Sequence, residues 1–207
     1  MKTKDNIEKL FGNLRRWITF PKYQAERRLD VFFGLYLEDI LKECRKAEFA
    51  YGDNLVLIPE FPLQKNEVNN ECTNLDYLVF NVSKQNLYAI ELKTDNHSVD
   101  DTQIEYYRKF TLVEPETLFE FVNKKRPGRS GKKYKALAEY IRKERLDKCN
   151  WSKGNVIYIL PKKSKKVIEA GFDYITFAEI SERMKPHASD DELLSEFLKF
   201  IANINEY

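Results

Sequence analysis

Two apolar runs joined by almost nothing constrain this chain more than any other feature. Asn74 to Asn81 reads NLDYLVFN, Asn86 to Lys93 reads NLYAIELK, and only a short turn through Val82-Ser-Lys-Gln separates them. Both runs have the length and the aromatic and β-branched content of strands, and so short a connection joins neighbours antiparallel. Side chains alternate between faces along a strand, so residues 89, 91 and 93 share one face and 88, 90 and 92 the other. Ala89 on one side with Ile90 and Leu92 on the other implies a central strand covered twice.

The other elements arrange themselves around that hairpin. Residues 24–45 predict a helix, because Phe33, Leu37, Ile40, Leu41 and Cys44 recur at the helical period and form one stripe. Residues 53–62 predict a first strand ended by prolines. Ser98 and Asp100 to Thr102 offer capping chemistry for a helix running to Leu112. Further helices are expected near 115–125 and 133–148, strands at 155–160 and 174–178, and an amphipathic helix over 190–205. Three strands on short loops, then helices, then a late strand imply antiparallel pairing followed by a crossover. The expected fold is α/β: one domain with a mixed central sheet of four to five strands flanked by helices. Its core would be 24–112 and 155–180, with a helical, basic excursion over 113–150.

Composition narrows the setting. In 207 residues, 43% hydrophobic and 14% aromatic content suits a packed core and excludes wholesale disorder. No apolar run is long enough to span a membrane, and no secretory leader is expected from the first residues. Three scattered cysteines, Cys44, Cys72 and Cys149, fit free thiols in a reducing, cytoplasmic setting. The net charge of +2 decides little, but its distribution is uneven. Lys124 to Lys135 reads KKRPGRSGKKYK, with seven positive charges and no acid. Arg126, Arg129, Lys132 and Lys133 within it are candidate nucleic-acid contacts, because such clusters neutralise phosphates. A solvated, flexible loop is the plain alternative. A second basic segment, RRWITFPKYQAERR, begins at Arg15.

The hairpin carries charges where strands want apolar residues. Asp76 is embedded among Leu75, Tyr77 and Leu78, and Glu91 and Lys93 end the next strand from one face. Burying a carboxylate costs several kcal/mol unless it is paired, hydrogen-bonded or metal-bound. Two carboxylates on adjacent strands repel, and a hard divalent cation between them removes that conflict. A lysine beside them can hold a water or stabilise developing negative charge. A surface ion pair among Asp76, Glu91 and Lys93 is the competing explanation.

Asp76, fourteen intervening residues and then Glu91-Leu92-Lys93 resembles the D…(D/E)xK signature of the PD-(D/E)XK nuclease superfamily, which has a restriction-endonuclease-like core. Gln103-Ile-Glu-Tyr-Tyr107 resembles the QxxxY motif of its RecB-like branch, and Glu38 in the first helix resembles the family's helical glutamate. These pieces cover roughly residues 30–110. The resemblance implies a Mg²⁺ or Mn²⁺ site on Asp76, Glu91 and the Leu92 carbonyl. It implies that Lys93 positions the attacking water and that Glu38 binds metal through water or orients a ligand. Gln103 and Tyr107 would contact the substrate strand or brace the site. The implied reaction is metal-assisted hydrolysis of a phosphodiester, with DNA favoured as substrate. A homodimer that cuts both strands is one arrangement open to such an enzyme. Leu75 stands where the motif's proline would be. The three cysteines do not supply the four needed by the iron–sulfur members. A nuclease fold that grips nucleic acid or protein without cutting is the runner-up, and a structural protein comes third.

Overall fold

A computed structural model of the chain describes residues 2–65, 71–95, 98–124 and 128–204. The elements run α1 (Lys2–Trp17), α2 (Ala25–Cys44), β1 (Leu55–Gln64), β2 (Cys72–Asn81), β3 (Asn86–Leu92), α3 (Asp101–Leu112), α4 (Pro115–Asn123) and α5 (Gly128–Lys143). They continue with β4 (Asn155–Leu160), α6 (Lys165–Glu169), β5 (Asp173–Thr176), α7 (Phe177–Met184) and α8 (Glu192–Ala202). The fold is α/β, and its five strands form one sheet in the order β1-β2-β3-β4-β5.

The first three strands form the antiparallel meander that short connections require. The turn from β2 to β3 places Gln85 at φ +56 and is held by Asn81, whose side chain accepts from Lys84 N at 3.1 Å. β4 lies parallel to β3. Ser152 N donates to Gln85 O at 2.8 Å, Lys93 N donates to Ile159 O at 2.9 Å, and both chains advance in the same sense between these contacts. The parallel pair needs a crossover, and α3, α4 and α5 supply it.

Packing divides the chain into two compact units that ignore chain order. One comprises Met1–Tyr51, Leu92–Asp100 and Tyr158–Tyr207, and the other Gly52–Glu91 and Asp101–Ile157. The first unit is built on aromatic rings. Phe32 and Phe33 of α2 meet Phe197 of α8 at 5.6 and 5.1 Å, and Phe11 of α1 meets Phe32 at 5.1 Å. Tyr36 donates its hydroxyl to Asp191 at 2.9 Å, and the same carboxylate caps α8 by accepting from Leu194 N at 2.9 Å. Burial first, then the Asp191 carboxylate, pushes the Tyr36 phenol above its ordinary range. Glu43, buried on α2, accepts from His187 at 2.7 Å and pairs with Lys46 at 3.1 Å.

In the second unit Phe80 of β2 packs against Trp151 at 5.0 Å and Phe119 of α4 at 6.2 Å. The Trp151 indole donates to Leu146 O at 2.6 Å, so its one polar atom is satisfied. Gly154, just ahead of β4, lies so close to the Phe110 ring of α3 that an added Cβ would stand 2.3 Å from it.

Several expectations shift. Lys2–Trp17, for which no element was expected, is a helix whose Phe11 and Leu14 are buried. The run Lys124 to Lys135 is not simply a loop, because α5 begins at Gly128. The expected fifth strand over 174–178 ends at Thr176, whose hydroxyl accepts from Glu179 N at 3.2 Å and starts α7.

Candidate functional site

The second unit sets carboxylates opposite one another on neighbouring strands. β2 and β3 pair Tyr77 with Ile90 and Leu78 with Ala89. One step further in that register, Asp76 stands directly across from Glu91, and directly opposed residues share a face. Glu91 is 1% exposed and Asp76 is half-buried. On the other side of Asp76, β1 pairs Pro59 with Tyr77 and Phe61 with Leu75, which sets Glu60 opposite Asp76. Glu60 takes a left-handed φ of +51, is exposed, and accepts from Asn74 at 2.8 Å.

Helix α3 closes over Glu91. Gln103 Nε2 donates to Glu91 Oε1 at 2.5 Å, and Tyr107 Oη donates to Glu91 Oε2. Residues four apart lie on one helical face, so a single turn of α3 delivers both donors. This is why a carboxylate can be almost wholly buried here: each oxygen has a charge-assisted hydrogen bond.

In the first unit Lys93, 7% exposed, follows β3 directly. Its ammonium lies 3.7 Å from Glu26 in the first turn of α2. Glu38 stands twelve residues along the same helix, about 18 Å further by the helical rise. Its carboxylate pairs with Lys42 at 2.6 Å. The α2 acid beside Lys93 is therefore Glu26, a residue the sequence reading passed over. Burial of Glu91 and Lys93 also removes the picture of a surface ion pair. Leu92 between them is buried.

Three of the four basic candidates lie on α5. Lys132 and Lys133 are exposed on α5, Arg129 lies in that helix's first turn, and Arg126 falls outside the described residues. Arg15 pairs with Glu196 at 2.9 Å and so ties α1 to α8.

Among the described residues no three His, Cys, Asp or Glu side chains are grouped to hold a metal ion. The opposed pair Asp76 and Glu91 still offers hard oxygen donors. Mg²⁺ is commonly held by one or two carboxylates, with waters and substrate phosphates completing its shell. The donor set fits that mode of binding and not an all-protein cage. No helix among the described residues is long and apolar enough to cross a membrane. Compared with known proteins, the chain matches no family model, no curated protein and no solved structure.

Proposed function

We propose that this chain is a divalent-metal-dependent nuclease that hydrolyses phosphodiester bonds, with DNA the favoured substrate. One observation carries the reading. Glu91 is buried on the third strand of a meander, opposite Asp76, with both oxygens held by Gln103 and Tyr107 of the following helix. Two buried-edge carboxylates in register have a chemical use if a cation joins them. The order of helix, meander, helix and parallel fourth strand supports the same reading, as does the D…ExK…QxxxY spacing.

Asp76, Glu91 and the Leu92 carbonyl would hold Mg²⁺ or Mn²⁺. The bound ion would polarise a phosphoryl oxygen and lower the pKa of its water. Gln103 and Tyr107 fix the rotamer of Glu91, so its oxygens are presented without reorganisation. Lys93 supplies a positive charge for the attacking water or the developing phosphorane charge. Glu26 holds the Lys93 side chain in one orientation. A cytoplasmic setting with free thiols belongs to the same proposal.

The absence of a grouped third acidic ligand among the described residues favours one alternative, a nuclease-like module that binds nucleic acid without cutting it. Labelled single- and double-stranded DNA and RNA, incubated with Mg²⁺ or Mn²⁺, separate the two. Cleavage is expected to vanish in Glu91→Ala and to fall about 10²- to 10⁴-fold in Lys93→Ala. Folded wild type that cuts no substrate with either metal would leave only the binding module.

A further inference from the structure

One residue before Tyr107, the ring of Tyr106 has two ammonium groups against it. Lys65 Nζ lies 5.6 Å from its centroid and Lys109 Nζ lies 5.7 Å away. Lys65 follows the end of β1, whereas Lys109 sits on α3 itself, so two separate segments converge on one half-buried tyrosine. Among the described residues neither lysine has a carboxylate within ion-pair distance. Two like charges gathered on one ring repel, and a single exposed cation–π contact contributes only about 0.5–1 kcal/mol. An anion placed between them would relieve that repulsion.

Beside them opens a cavity of about 800 Å³, lined among others by Leu63, Lys65, Lys109, Leu112, Phe121 and Lys124. Its three lysines come from three segments. Two acids also line it. One of these, Glu114, is already bound by Lys153 at 3.0 Å. Apolar floor, partly exposed aromatic ring and cationic rim together match one ligand class. Single nucleic-acid strands carry phosphates at regular intervals and flat apolar bases between them, and their binding grooves combine positive charge with aromatic stacking platforms. A duplex hides its base faces from a recessed ring. An acidic peptide satisfies the lysines but leaves Tyr106 without a planar partner.

We propose that Tyr106, Lys65, Lys109 and Lys124 form a binding groove for a single nucleic-acid strand, with Tyr106 stacking on a base and the lysines meeting phosphates. The groove draws on the nuclease reading for its ligand class only, because α3 carries both Tyr106 and the donors to Glu91. Binding requires no cleavage.

The test is fluorescence anisotropy of a labelled oligothymidine in excess chelator, so that nothing is cut. Tyr106→Ala is expected to weaken binding about 5- to 100-fold, the loss of one stacked base, while Tyr106→Phe keeps most of the affinity. Lys65→Ala with Lys109→Ala should lower the slope of log affinity against log salt by about 1.4, two phosphate contacts on a single strand. Lys109 is exposed and Lys65 is half-buried just past the end of β1, so this variant serves if Tyr106→Ala does not fold. Unchanged affinity and slope overturn the groove. So does an acidic peptide that binds as tightly as the oligonucleotide regardless of Tyr106. Cleavage measured separately with metal keeps the two readings apart. Cutting with an indifferent groove removes this proposal alone, and a strand-binding groove without cutting removes the nuclease alone.

Discussion

The hydroxyl of Tyr107 is the cleanest single perturbation the site allows. Tyr107→Phe keeps the ring and its packing, so it creates almost no cavity. It removes one donor from a carboxylate that is 1% exposed. A hydrogen bond to a charged group contributes about 1.5–3 kcal/mol, and little solvent reaches Glu91 to replace it. For a chain of this length each kcal/mol corresponds to a fall of about 2–4 °C in Tm, so a drop of about 3–12 °C is expected. Urea unfolding followed by circular dichroism should show a lower midpoint at unchanged slope. In a Glu91→Gln background the acceptor is neutral, and the same change should cost only about 0.5–1.5 kcal/mol. The difference between backgrounds isolates the coupling of Tyr107 to the charge on Glu91. A Tyr107→Phe protein within about 0.5 kcal/mol of wild type would refute the reasoning, as would equal losses in both backgrounds.

Other expectations follow from single contacts. Gly154→Ala drives a methyl into the Phe110 ring and should destabilise the fold by about 1–3 kcal/mol, with Phe110→Leu restoring part of the loss in the double variant; an undiminished denaturation midpoint in Gly154→Ala would count against the close approach. Burial pushes the Glu43 carboxyl up, but His187 and Lys46 more than offset this and hold it below the ordinary carboxylate range. That stability is present above the ordinary carboxylate pKa and lost as pH falls below it, so His187→Ala should flatten the acid side of a midpoint-against-pH curve. The Cys44 thiol is pushed to about 12, by burial above all, so a disulfide reagent at mildly alkaline pH should modify Cys44 only on unfolding. Stability should also decline as pH rises above the ordinary thiol range, because the unfolded thiol ionises first; native-state labelling of all three thiols at one rate would contradict this. Alanine at Lys132 and Lys133 should weaken DNA binding and flatten its salt dependence if α5 touches phosphate, and gel-shift titrations at several salt concentrations decide it.

The strands were legible because long apolar runs with short turns leave few alternatives, and β2 and β3 fall within two residues of expectation. The pair Gln103 and Tyr107 stood out through its resemblance to a QxxxY motif, and helical spacing puts both on one face of α3. Helix α1 was harder, since its stripe of Phe11 and Leu14 is thin amid charge, and basic residues drew attention instead. A helix was expected over 133–148, but the glycines of GRSGKKYK hid its start, and α5 begins at Gly128, five residues earlier. Glu26 and Glu38 illustrate a limit of another kind. Both are acids on one helix, and only the tertiary position of Lys93 distinguishes them. Spacing along a chain does not say which end of a helix meets a distant strand.

The partition of the chain has a consequence for its birth. Phe32 and Phe33 leave the ribosome about 160 residues ahead of Phe197, the ring they pack against. At about 5–20 residues per second, that interval lasts about 8–30 s. Throughout it, Phe32 and Phe33 lack the Phe197 ring while residues 52–157 are translated. Synthesis therefore exposes the amino-terminal quarter longest, and a stalled or truncated chain would present those rings to chaperones or to its own copies.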